Sequence, residues 1–192
     1  DNELLGGEGK DQLIGGTIFN DVSGTWTETW VQDYVDEGGS SIYTNAETGT
    51  FSGLYAFNEL SGGAGEDELI GGVGFNYGDG GQGDDVLSGS TALNTFAVTW
   101  TGDWGSGGAS GSYAYSELLG GEGGGSDELH GGVGDNWLEG GEGNDELFGG
   151  SGYNTISITD TYQEGETNVS VSGEFTYAFN YLDGGLGADE LT

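Results

Sequence analysis

Leucine recurs along much of this chain at a spacing of nine, several times behind a glycine pair and an acidic residue. Gly62-Gly63-Ala64-Gly65-Glu66-Asp67-Glu68-Leu69-Ile70 is one full unit. Gly6 to Ile14, Gly80 to Ser88, Gly140 to Phe148 and Gly184 to Thr192 repeat its form, Gly-Gly-x-Gly-x-Asp/Asn-x-apolar-x. Leu4, Leu13, Leu60, Leu69, Leu87, Leu118, Leu129, Leu138, Leu147, Leu182 and Leu191 fill the apolar position. Side chains alternate across a strand, so the Glu of each Asp-Glu-Leu triplet points to the face opposite its leucine. Three segments break the rule: Val22 to Phe57, Phe96 to Tyr115 and Ile156 to Phe179. There apolar and polar residues alternate with period two, which predicts strands paired in hairpins. Ile156, Ile158 and Tyr162 share a face going out; Val169, Val171, Phe175, Tyr177 and Phe179 share one coming back. Phe96, Val98 and Trp100 oppose Tyr113 and Tyr115, and Trp26 and Trp30 oppose Phe51, Tyr55 and Phe57.

The in-phase nonapeptide resembles the RTX repeat, the calcium-binding parallel β-roll. The resemblance implies a turn from the first six residues and a short strand from the last three. It implies coils of about 18 residues, an inward apolar column, and Ca²⁺ cradled between neighbouring turns. The residue types suit that chemistry. Glycine permits positive φ and a close approach of carbonyls, and calcium takes six to eight oxygen ligands. The expected fold is all-β: a parallel β-roll, or β-solenoid, of stacked nonapeptide coils with three protruding β-hairpin arms. The chain reads as one solenoid, 1–192, with units of roughly 1–58, 59–116, 117–180 and 181–192 and arms at 22–57, 96–115 and 156–179.

The sixth position of the repeat alternates between Asp and Asn, so one edge of the roll carries Asp and the other Asn. Calcium is expected most strongly at Asp11, Asp67, Asp85, Asp127, Asp145 and Asp189. Asn76 and Asn136, with one charge less per turn, are weaker metal candidates. An asparagine ladder, or mere tolerance of left-handed turn geometry, are the other readings of that edge. Gly120 to His130 runs to eleven residues, which predicts a distorted turn around Asp127. Each arm is expected to replace one Asp-edge turn, giving about three coils per unit.

Composition sharpens this picture. Lys+Arg is 1 against 34 Asp+Glu, a net charge of -33. Such a chain has no basic patch for nucleic acid or anionic lipid. It repels itself until cations bind, and with no arginine those cations are metal ions with oxygen ligands. No apolar run reaches the length of a membrane span. Cysteine is absent, and His130 is the single histidine, read as a surface residue, so a zinc site has no ligands of the usual kind. No nucleophile elbow or Walker lysine occurs, which argues against an enzyme. Asn168-Val169-Ser170 is a glycosylation sequon, and the Ser/Thr-rich arms are candidates for O-linked sugars.

The chain begins at Asp1 and reads as a mature chain or a piece of a longer one. Asp1 to Leu5 matches Asp135 to Glu139, and Gly184 to Thr192 ends where such a turn would follow. Neither end reads as a cap, so the roll is expected to continue, in a longer array or as copies stacked end to end. The leading function is a calcium-stabilised extracellular or cell-surface structural protein, self-associating end to end in a filament, surface layer or adhesin stalk. The alternatives are a folding and secretion module of a type I-exported bacterial toxin or hydrolase, and a polysaccharide- or ice-binding module acting through the aromatic arms.

Overall fold

The computed structural model describes residues 2–36, 39–102, 105–121, 123–164 and 167–192. The side chains of Trp30 and of the sequon residue Asn168 lie outside the described residues. The first coil is β1 (Asn2–Glu8) with β2 (Gln12–Ile14), followed by a hairpin of β3 (Asn20–Asp36) and β4 (Gly39–Tyr55). Two coils come next: β5 (Phe57–Ala64) with β6 (Glu68–Val73), and β7 (Phe75–Gln82) with β8 (Val86–Ala92). The second hairpin is β9 (Asn94–Gly102) and β10 (Gly105–Tyr113). Then come β11 (Tyr115–Leu119) with β12 (Glu128–Gly132), and β13 (Asp135–Glu139) with β14 (Glu146–Phe148). A third hairpin, β15 (Asn154–Glu164) and β16 (Thr167–Tyr177), precedes the last coil, β17 (Asn180–Asp183) with β18 (Glu190–Leu191).

These strands form three six-stranded sheets. The first, β1-β5-β7-β11-β13-β17, and the second, β2-β6-β8-β12-β14-β18, are parallel and make the two walls of the roll. Between the walls runs the leucine column. Leu60, Leu69, Leu87, Leu118, Leu129, Leu138 and Leu147 are buried, Leu13 nearly so, and Leu4 and Leu182 pack on its ends. Leu191, in the outermost strand, is exposed. The column has a gap at Gly78, where an added Cβ would lie 3.2 Å from Leu118 and 3.4 Å from Leu87. Those two leucines fill the space.

The third sheet runs β3-β4-β9-β10-β15-β16 and is antiparallel throughout. The hairpins are therefore joined side by side. Their spacing explains this. Adjacent strands lie about 4.8 Å apart, so two coils and one two-stranded hairpin occupy the same length of the roll axis. A hairpin after coils one, three and five tiles a sheet without gaps.

Two expectations about the arms are corrected. The arms do not replace Asp-edge turns, and a unit holds two coils and a hairpin, not three coils. Each arm enters at Asn20, Asn94 or Asn154 and returns to Asn58, Ser116 or Asn180, all on the Asn edge. A hairpin has an even number of strands, so the chain comes back to the edge it left and skips no turn on the other. At the junctions Asn94 Oδ1 accepts from the Ala56 N–H at 2.8 Å, and Asn154 Oδ1 from the Ala114 N–H at 2.9 Å. These bonds tie the base of each later hairpin to the exit of the one before.

Candidate metal edge

With no arm interrupting it, the Asp edge is a continuous stack of six turns. Each Asp binds its neighbour in the next coil. The N–H of Asp11 donates to Asp67 Oδ1 at 2.8 Å, Asp67 to Asp85 at 2.8 Å, and Asp85 to Asp127 at 2.9 Å. Asp127 donates to Asp145 at 2.9 Å and Asp145 to Asp189 at 3.1 Å. One carboxylate oxygen per turn is thus consumed. The other, Oδ2, is buried and has no hydrogen-bond partner in Asp11, Asp67, Asp85 and Asp145. An orphaned buried carboxylate oxygen costs about 1–3 kcal/mol or more, so four of them along one edge call for a partner from solution.

The glycines show where that partner fits. A Cβ built on Gly62 would lie 2.5 Å from Asp67 Oδ2 and 2.6 Å from the Gly80 carbonyl oxygen of the next coil. One built on Gly80 would lie 2.5 Å from Asp85 Oδ2 and 2.7 Å from Gly120 O. At Gly6, Gly62, Gly80 and Gly120 the first glycine of the repeat therefore keeps open a small space faced by one carboxylate and one carbonyl from adjacent coils. The second glycine is needed for its backbone, since Gly63, at φ 106°, adopts a conformation that strongly favours glycine. Among the described residues no three acidic or histidine side chains converge on one point. One carboxylate per turn must be completed by main-chain carbonyls, which is the ligand set of a hard cation such as calcium.

Burial raises the pKa of three neighbouring carboxylates, Asp85, Asp127 and Asp145. Asp127 is pushed up to about 7, chiefly by burial and further by Asp85, Asp145 and Asp84, against the lowering effect of the Asp85 N–H. Burial likewise raises Asp85 and Asp145, with neighbouring Asp charges adding to it. Without a cation these three carboxyls resist ionisation. Asp127 keeps its place in the ladder although its turn is longer. Gly120, Gly121 and Gly125 stack on the neighbouring coils, and the extra length appears as exposed Gly123 and Gly124.

The opposite edge uses its amides differently. Asn2 Nδ2 donates to Asn58 Oδ1 at 2.8 Å, Asn58 to Asn76 at 2.9 Å, and Asn136 to Asn180 at 2.8 Å. This is the asparagine ladder. Asn76 also donates to Ser90 Oγ at 2.8 Å, so its amide already has hydrogen bonds at both ends. Ser116 holds the ladder position between Asn76 and Asn136, and its hydroxyl turns to Ser90 at 3.1 Å. That break leaves Asn136 Oδ1 buried without a partner. Sequence reasoning did not single out Ser90, although its repeat lacks the usual glycines. His130 lies against Phe148 at 4.7 Å between ring centroids and bonds Glu128 at 2.7 Å, a half-exposed surface arrangement.

A family model described as the RTX calcium-binding nonapeptide repeat matches residues 1–17, 43–77 and 123–156. The chain carries RTX calcium-binding repeats. Asp11, Asp67, Asp127 and Asp145 fall within the matched segments. Asp85 and Asp189 fall outside them, yet each is a further rung of the same hydrogen-bonded ladder. Comparison with curated proteins finds no match, and comparison with solved structures finds none. Such repeats imply a calcium-binding β-roll module.

Proposed function

We propose that the chain is a calcium-set structural β-roll, working outside the cell as part of a filament, surface layer or stalk, without catalysis. The stacked Asp edge carries this reading. Each of Asp11, Asp67, Asp85, Asp127, Asp145 and Asp189 would hold Ca²⁺ through its Oδ2, together with main-chain carbonyls of the neighbouring coil. The bound ion would neutralise the carboxylates and pin adjacent coils together. A chain of net charge -33 then folds where calcium is millimolar and stays open where calcium is scarce. That property suits a protein working outside the cell. No helix among the described residues is long and apolar enough to cross a membrane.

The same bonds recur at every coil, so the ladder is extendable. A further coil at either end, whether from adjoining chain or another copy, would find the N–H and Oδ1 pattern already set. Electron microscopy in millimolar calcium and then in chelator tests the reading. Filaments that dissolve on chelation support it; monomeric particles at high calcium overturn end-to-end assembly.

One observation favours a recognition module as runner-up. On one face of the third sheet the register aligns Thr25, Thr50, Thr99, Thr159 and Ser172 in a row, with Thr48, Thr101, Thr161 and Ser170 in the next. Most of these hydroxyls are exposed, and Thr50 bonds Thr99 at 2.8 Å. A neutral hydroxyl array on so acidic a chain suits a polysaccharide or ice surface. Binding to either that is lost in Thr99→Glu would promote this reading over the first.

A further inference from the structure

We propose that the other face of the third sheet packs against the same face of a second copy, pairing two rolls side by side. The register places Val22, Gly53, Phe96, Gly111, Ile156 and Phe175 in one row. Gly24, Phe51, Val98, Ala109, Ile158 and Gly173 form the next, and Trp26, Gly49, Trp100, Gly107, Asp160 and Val171 the third. Asp160 is the one ionisable residue among these eighteen positions. The rest of the chain carries nearly all of the net charge.

The face is smooth by construction. Rings lie across glycines of the partner strand: Phe51 over Gly24, Trp26 over Gly49, Trp100 over Gly107 and Phe96 over Gly111. A side chain at any of these glycines would collide with the ring. Nevertheless the surface is open: Phe51 and Ile158 are each 41% exposed and Phe175 60%. A β-sheet with one apolar face is stable when that face is covered by a second layer.

Charge and area select the occupant. These rows hold one carboxylate, Asp160, with Glu28 and Glu47 in the next row of the same face, so a second acidic copy meets little repulsion across them, and the Asp edge lies on the far side of the roll from the hairpins. Six strands at about 4.8 Å by three rows about 6.8 Å apart give a footprint of roughly 600 Å² per copy. A pair then covers roughly 1,200 Å², the lower end of the range for specific interfaces. The face is self-complementary about a two-fold axis, which would pass between β9 and β10 at the middle of the sheet. The pairing is independent of end-to-end growth, which uses the roll's terminal strands.

The chain has no cysteine, so single-cysteine probes are unambiguous. Val98→Cys places a thiol beside the axis on the apolar face; Thr99→Cys places one on the hydroxyl face of the same strand. Both are treated in calcium with a bismaleimide long enough to span the ~10 Å between packed sheets. The proposal expects a crosslinked dimer roughly tenfold more abundant from Val98→Cys than from Thr99→Cys. Adding Ile158→Glu to Val98→Cys should lower that yield by roughly tenfold with strand content unchanged by circular dichroism. End-to-end stacking brings neither thiol near its counterpart, so filaments without a Val98→Cys crosslink would overturn the pairing and leave the filament reading intact. Equal yields from the two thiols would also overturn it, as would a Val98→Cys dimer indifferent to Ile158→Glu.

Discussion

Replacing Asp85 by Asn should change stability in opposite directions with and without calcium. Asp85 Oδ1 accepts from the Asp67 N–H at 2.8 Å, a bond that the asparagine oxygen reproduces. Its Oδ2 is buried, unpartnered and next to the space bordered by Gly120 O. In Asp85→Asn an amide NH₂ takes that place and gains a carbonyl to donate to. The buried charge, resisted by desolvation and by Asp67, Asp84 and Asp79, disappears. In chelator the variant should therefore be more stable by about 1–2 kcal/mol, the cost of an unsatisfied buried group. With calcium the balance reverses. A hard cation loses one of its few charged ligands, and affinities of such sites span decades with charge count. A loss of about ten- to a hundredfold at that site corresponds to about 1.4–2.8 kcal/mol. Thermal unfolding would be followed in two buffers: chelator with about 1 M salt, where screening to about 3 Å keeps the free chain folded, and millimolar calcium. A melting temperature that shifts in the same direction in both buffers would refute the argument.

Other consequences follow from the same structure. Leu129 is fully buried in the column, so Leu129→Ala should cost about 3–5 kcal/mol and raise the calcium midpoint of folding, read by circular dichroism. Gly62→Ala puts a methyl between Asp67 Oδ2 and Gly80 O; calorimetry should show at least one fewer calcium bound than wild type, whereas Gly173→Ala in the third hairpin, where a methyl meets only ordinary contacts, should bind the full number. Asp127 holds its proton up to about pH 7 when folded, against 3.8 for the ordinary carboxyl. The folded, calcium-free roll thus binds a proton that the unfolded chain has released. Its stability falls as pH rises from about 4 to about 7 and then levels off. Calcium competes with that proton, so measured affinity should climb over the same interval; an affinity independent of pH from 5 to 8 would contradict it.

The parts of the fold written in side-chain period were readable in the sequence. Leu69 and Leu87 announce a column because inward and outward residues alternate on any strand. Asp67 and Asp85 stand out because the sixth position of a glycine-bracketed turn recurs in phase. What sequence reasoning lost was set by geometry across coils. Whether an arm interrupts the Asp edge depends on where its two strands leave and rejoin the roll, which the alternation of Ile156 to Phe179 does not state. That β4 pairs β9, and β10 pairs β15, follows from the equal rise of a hairpin and two coils. The Gly49–Trp26 and Gly107–Trp100 pairs lie on neighbouring strands and become visible only once the register is known. Ser116 is legible as the return of an arm, but its substitution for an asparagine in the ladder needs the register of β7, β11 and β13.

The central claim is that cations on the Asp edge build the roll. It is tested most directly by titrating the chain with calcium at neutral pH and low salt, with strand content followed by circular dichroism. The account predicts little strand signal in chelator and a cooperative gain on calcium, which magnesium does not reproduce because it demands tighter octahedral geometry and releases water reluctantly. Full strand content in chelator, unchanged by calcium, would contradict it.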